Sequence, residues 1–293
     1  MLKMAIPPEA NLSLRWFFMG NCVLFLHYLL VLLRTTNDAV LITTTTHAVL
    51  LLAFVLINFL TIWVLYSRRQ QQKAISLQSA FLGLVFGSGT ILSLGHLPLA
   101  GFGWYLCVLS FFHFAEFIFT ALYQYPSLTV ESFLLNHSFA YAIAAFSSWI
   151  EFFIELYLIP TAIKFWPIMV FGLSLCVMGE VMRKVAMLTA GRSFNHYIQV
   201  TKEEDHHLIT HGIYAWSRHP SYVGWFYWSV GTQILLCNPI CLVAYTVASW
   251  RFFKERVEDE EITLLHFFGE DYLNYQKKVG TKLPFIKGYR LEL

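Results

Sequence analysis

Long apolar runs broken by short polar ones dominate this chain. Crossing the hydrocarbon core of a bilayer as a helix takes about 20 apolar residues. Seven or eight segments qualify: roughly 16–33, 47–66, 75–95, 99–122, 133–158, 165–182, 221–237 and 239–257. Inside lipid every backbone polar group needs an internal partner, so helices are expected throughout. The last two runs are short and meet at Asn238-Pro239, which predicts a tight helical hairpin. Length alone would also allow 221–237 to be a buried soluble helix. Beyond these runs the period turns polar: Arg251, Glu255, Arg256, Asp259, Glu260 and Thr263 recur three and four apart, a polar helical face. Past Gly269, the positions Tyr272, Tyr275, Gln276 and Val279 predict a short amphipathic helix that packs back over the chain or anchors at an interface.

Composition agrees with a lipid environment. Hydrophobic residues make up 57% of the 293 and charged residues 13%, against about a quarter charged in a soluble domain. The aromatic share of 17% suits helices with many side chains at membrane–water boundaries. Charge placement then orients the spans. With eight helices, 18 of the 20 Lys and Arg fall on the side shared by both termini, and only Arg34 and Lys164 fall opposite. The positive-inside rule therefore predicts an all-α integral membrane protein of about eight spans, with N- and C-termini cytosolic. The sequons at Asn11 and Asn136 would then stay unglycosylated. No removable signal peptide is apparent at the N-terminus. One polytopic domain is expected, divided into 1–74 (helices one and two), 75–190 (helices three to six) and 191–293 (loop, hairpin and tail).

Several function classes fall away. A net charge of +2 without a basic, aromatic-laced stripe gives no reason to expect nucleic-acid binding. Five cysteines in or beside apolar runs read as buried free thiols. A transporter would show internal pseudo-symmetry and charge near the bilayer midplane, and neither is visible. Gly83 and Gly87 form a GxxxG, which serves close packing within one chain or a homodimer interface.

Polar chemistry is concentrated in 191–220 and 251–283. The first stretch ends in HGIYAWSRHPSYVGW. Pro220 holds His219 extended and suits the first turn of a helix, which puts Ser221 and Tyr222 at a helix N-terminus able to hold a carboxylate. Gly224 permits close approach of backbone or ligand. Tyr214, Trp216, His219 and Tyr222 suggest an aromatic pocket for a flat base; a helix start that merely caps itself is the plainer reading. His206, His207 and His211 invite a metal, but no second histidine box exists to complete a di-iron site, so no metal is expected. His113 and Glu116 sit one turn apart on helix four, as a structural pair or as the lining of a substrate path.

RHPSYVGWFYW, NPIC, RFFKERVEDEEI and FFGEDYLNYQKKV followed by LPFIKG together resemble the isoprenylcysteine carboxyl methyltransferase family. FFHFAEFIFTALY and SFLLNHSFAYAIAAFSSWIEFF are similar to its animal members, and the resemblance runs from about residue 75 to the C-terminus. It implies an endoplasmic reticulum enzyme that uses S-adenosylmethionine, with S-adenosylhomocysteine as product. The methyl acceptor it implies is the α-carboxylate of a C-terminal S-farnesyl or S-geranylgeranyl cysteine. The protein partners it implies are processed CaaX proteins, such as small GTPases and lamin-type substrates. Carried over by motif, the cofactor positions are Gln199, His206, His207, Leu208, Ile209, Tyr214, His219, Pro220, Ser221, Tyr222 and Glu260, and Arg256 is a substrate position. An α-carboxyl group with a pKa near 3.5 is already the anionic nucleophile. Arg256 is thus expected to orient it, with no general base. The alternative is a nicotinamide-dependent membrane sterol reductase with a similar C-terminal architecture. Its phosphorylated dinucleotide would want more basic residues in 191–222 than Arg192, Lys202 and Arg218.

Overall fold

The computed structural model describes residues 6–36, 43–95, 97–135, 138–159, 165–199, 201–202 and 206–289. The second sequon, at Asn136, lies outside them. Among the described residues the chain is all-helical: α1 (Pro8–Thr36), α2 (Thr44–Leu65), α3 (Gln70–Leu94), α4 (Leu97–Tyr123), α5 (Phe139–Leu158), α6 (Trp166–Ala190), α7 (Pro220–Leu236), α8 (Pro239–Phe268) and α9 (Glu270–Lys278). Helix starts follow proline: α6, α7 and α8 each carry one in the first turn, where its missing N–H is not needed. Two stops follow glycine in the left-handed half of backbone space, Gly191 after α6 (φ +52°) and Gly269 after α8 (φ +53°).

Among the described residues five helices are long and apolar enough to cross a membrane: Pro8–Arg34, Thr44–Leu65, Gln70–Leu94, Pro98–Tyr123 and Phe139–Leu158. α7 has only 17 residues, and α6 and α8 continue past their apolar parts into charged turns. Several boundaries differ from the sequence expectation; α1 and α3 begin at Pro8 and Gln70, ahead of the expected 16 and 75. The fifth run does not start at 133; a short 3-10 turn (Val130–Phe133) precedes it and α5 begins at Phe139. The sixth does not stop at 182, because no breaker comes before Gly191 and the charged residues Arg183 and Lys184 are helical and buried.

Two compact units divide the chain, Met1–Leu122 with Leu128–His137, and Tyr123–Ser127 with Ser138–Leu293. In the first, α1 lies tightly on α3. A Cβ at Gly83 would collide with the Phe17 carbonyl and one at Gly20 with the Ala80 carbonyl, so the backbones touch directly. The GxxxG thus packs within the chain. Lipid gives helices no hydrophobic reason to associate, so such close contact and shared hydrogen bonds (Ser13 with Ser79, 2.8 Å) hold them together. Phe17 stacks on Phe114 (3.8 Å) and Phe117 on Phe133 (4.0 Å), forming a small aromatic core. His113 and Glu116 are buried in this unit, with His113 Nδ1 2.8 Å from the Phe133 carbonyl oxygen.

In the second unit α6 and α7 repeat the device. A Cβ at Gly179 would strike the Gly224 carbonyl and one at Gly224 the Gly179 carbonyl, so Gly224 serves backbone contact with α6. The α7–α8 hairpin at Asn238 is as expected. Asn238 Nδ2 donates to the Ser148 carbonyl at 2.8 Å, and the Glu151 carboxylate of α5 accepts from the Ile240 and Cys241 N–H groups at 2.7 Å each. That carboxylate from another helix caps the positive end of α8.

Candidate functional site

The C-terminal end of α6, the 191–219 loop, the first turn of α7, the second half of α8 and α9 enclose one cleft. Its walls include Ser193, Phe194, Asn195, His206, His207, Leu208, Ile209 and Tyr214 from the loop. Arg218, His219, Pro220, Ser221 and Tyr222 come from the start of α7, Glu260, Leu264 and Phe268 from α8, and Tyr272 and Tyr275 from α9. Ten of the eleven cofactor positions expected from the sequence thus meet at one place. The eleventh, Gln199, lines two adjoining hollows that share His206 and Asn195 with the main cleft. His113 and Glu116 belong to the other unit.

The loop reaches the cleft because the tail holds its end. Tyr275 Oη donates to the Tyr214 carbonyl (2.6 Å), Ser217 Oγ to the Thr281 carbonyl (2.6 Å), and the Arg218 N–H to the Gly280 carbonyl (3.1 Å). Arg218 is the centre of this clasp. Its guanidinium donates to Glu261 Oε1 at 2.7 Å, to the Lys287 carbonyl at 2.9 Å and to the Val279 carbonyl. Glu261, with no exposed surface, also lies 3.0 Å from His219 Nε2 and accepts from Gln276 Nε2 at 3.0 Å. Burial alone would push the Glu261 carboxyl up, but hydrogen bonds and charge from His219 and Arg218 hold it below its usual range. Burial, with the charge of nearby Glu260 and Glu261, raises the Tyr272 phenol well above its usual value. Tyr214 is raised the same way, by burial first and then by Glu260. Both phenols therefore stay protonated at neutral pH.

A second knot faces the cleft. His219 and Tyr222 stack with rings 5.5 Å apart and nearly parallel (2°). The Tyr222 hydroxyl donates to Glu260 and accepts from Arg256 Nε at 2.9 Å, while Arg256 also donates to the His196 carbonyl. Arg256 and Glu260, one turn apart on α8, thus meet at a single hydroxyl. Arg183 of α6 supports the helix start, donating to Ser221 Oγ at 2.6 Å with its guanidinium 4.7 Å from the Trp225 ring centre. Among the described residues no group of three or more His, Cys, Asp or Glu is gathered for a metal; His206 instead lies edge-on to Phe267 and Phe268.

Residues 170–266 match the model of the Isoprenylcysteine carboxyl methyltransferase (ICMT) family. A protein-S-isoprenylcysteine O-methyltransferase of Homo sapiens is 48% identical over 290 residues, which is 98% of this chain and 97% of the relative. The chain belongs to the isoprenylcysteine carboxyl methyltransferase family. Membership makes it an enzyme and a membrane methyltransferase. A Xenopus laevis member of the same name is 56% identical over 229 residues, 78% of this chain and 79% of its own length. A solved structure described as the eukaryotic intramembrane Ras methyltransferase ICMT superposes with a TM-score of 0.87 at 43% identity, covering 97% of this chain and 100% of that one. The sterol-reductase alternative has no support in these matches.

Sequence reasoning missed part of the site. Glu261 falls outside the polar face that 251, 255, 256, 259, 260 and 263 define. Arg183 falls just past the sixth apolar run. The available signal was a charge at the end of an apolar run, which is costly in lipid and usually functional.

Proposed function

We propose that this enzyme transfers the methyl group of S-adenosylmethionine to the α-carboxylate of a C-terminal S-farnesyl or S-geranylgeranyl cysteine. The observation that carries the reading is the convergence of the α7 helix start, Tyr222 and Glu260 on one cleft, with Arg256 joined to it through the Tyr222 hydroxyl, in a chain of this family. The donor set suits the cofactor. It needs a seat for a carboxylate, one for an ammonium group and a flat slot for adenine. The first turn of α7 offers the positive end of a helix dipole. Glu260, part-exposed at the cleft, offers a carboxylate oxygen to an ammonium group. Tyr214, Tyr222 and the histidines offer ring faces.

When bound, S-adenosylmethionine supplies an electrophilic methyl group on a sulfonium. The chain's residues do the positioning. Arg256 presents a planar fork suited to a carboxylate, and Tyr222 couples that fork to Glu260, so both binding groups are set by one hydroxyl. No residue need act as a base, because the acceptor carboxylate is already ionised at neutral pH. Closing the cleft to water favours a step in which positive and negative charge annihilate.

The same reading gives α6, α7 and α8 as spans beside the five apolar helices, with both termini and the cleft in the cytosol and the protein in the endoplasmic reticulum membrane. A prenyl tail partitions into lipid at about 0.8 kcal/mol per CH₂, so the acceptor arrives sideways from the bilayer. Processed CaaX proteins, including small GTPases, are the proposed substrates. Purified protein in lipid, given methyl-labelled S-adenosylmethionine and N-acetyl-S-farnesylcysteine, should form a base-labile methyl ester. Label incorporation equal to that of a no-enzyme control would reject the reading.

A further inference from the structure

The tail ends in an exposed aromatic turn that the cleft does not use. Leu283 and Ile286 are buried (4% and 6% exposed) among Val223, Phe226, Phe253 and Val257, yet Phe285 between them is 95% exposed. Phe285 also holds a left-handed backbone (φ +60°), as does Lys282 (φ +62°). Side chains of that bulk rarely adopt this conformation, and it persists only where the surroundings over-determine it. Here they do: Trp250 Nε1 donates to the Pro284 carbonyl at 2.7 Å, the Ile286 N–H to the Leu283 carbonyl at 3.3 Å, and Arg218 to the Lys287 carbonyl at 2.9 Å. The molecule is built to push this ring outward.

We infer that the 281–287 turn is an interfacial lipid anchor, with Phe285 in the acyl–headgroup boundary and Lys282 and Lys287 facing anionic lipid. It rests on the reading that α8 crosses the bilayer, with its apolar surface ending where the charges begin at Arg251. Trp250, which fixes the turn, sits at that end, and α8 exposes Val243 (65%) and Val247 (48%) below it. The turn is therefore level with the cytosolic boundary of the apolar surface, where aromatic rings concentrate. Lys282 and Lys287 flank Phe285, and Arg251 and Lys254 border Trp250; all four are exposed. Such basic residues are drawn to anionic leaflets. Because Arg218 joins the Lys287 carbonyl to Glu261 and His219, the anchor sets the depth at which the cleft meets lipid.

The test uses the full chain in nanodiscs of phosphatidylcholine and phosphatidylserine, with para-trifluoromethylphenylalanine at 285 or, as a control, at 247. The anchor predicts that the fluorine resonance at 285 is lost to a lipid carrying a nitroxide near its headgroup and kept with a water-soluble gadolinium chelate. Lys282→Gln with Lys287→Gln should restore part of that signal. Loss to gadolinium alone would mean a solvated turn, and indifference to both reagents would mean a protein cover, either a second copy or a partner. Both overturn the anchor. A probe at 247 that responds to lipid while 285 does not rejects the anchor alone; a probe at 247 that escapes lipid rejects the span as well.

Discussion

Replacing Glu261 by Gln removes a negative charge from a position with no solvent exposure, where it serves Arg218 at 2.7 Å, His219 at 3.0 Å and Gln276 at 3.0 Å. Removing one partner of a buried pair typically costs about 3–5 kcal/mol, because the other charge is stranded. Arg218 keeps its tail carbonyls and Gln has nearly the same shape, so the lower end applies: about 3 kcal/mol, or on the order of a hundredfold in the folded-to-unfolded ratio. Unfolding in mixed micelles of mild detergent and dodecyl sulfate, followed by tryptophan fluorescence, measures it. A cycle with Arg218→Met should return a coupling of at least about 1.5 kcal/mol. The pH dependence has a definite sign. The folded-state carboxyl lies below its unfolded value, so its contribution is complete above the unfolded pKa of about 4.3 and disappears as pH falls through the folded value. The gap between wild type and Glu261→Gln should close in that acid window. Single variants costing under about 0.5 kcal/mol, as for an exposed ion pair, with no coupling, would contradict a buried, mutually dependent pair.

Arg256→Lys keeps the charge but loses the fork that reaches both Tyr222 and His196; kcat/KM for a prenylcysteine should fall roughly tenfold or more, with product affinity changed less. Glu151→Ala uncaps α8 at Ile240 and Cys241 and should cost about 1–2 kcal/mol in the same unfolding assay. Gly83→Ala drives a methyl group into the Phe17 carbonyl; it should destabilise by about 1–3 kcal/mol and leave the oligomeric state seen by light scattering unchanged.

Local chemistry was legible in the sequence. Pro220, Pro239, Gly191 and Gly269 punctuate the helices where their backbone preferences require, and the RHPSY run does open a helix beside the acidic turn of α8. What stayed hidden depends on partners far along the chain. Glu261 differs from its neighbour Glu260 only in which side of α8 it occupies, and its burial follows from Arg218, 43 residues earlier. Glu151 sits inside an apolar run without any local sign that it caps a helix 89 residues later. Lys184 is neutralised one turn from Glu180 (3.2 Å), which lets α6 continue through charges that read as a loop. Periodicity reports which face is polar; it does not report which polar residue a distant segment will cover.

The most direct measurement is calorimetric titration of S-adenosylhomocysteine into the purified protein in detergent, beside a Glu260→Gln variant. The account predicts saturable binding near one ligand per chain, weakened roughly tenfold or more when the Glu260 charge is removed. No heat of binding in folded protein, or equal affinity in the variant, would contradict it.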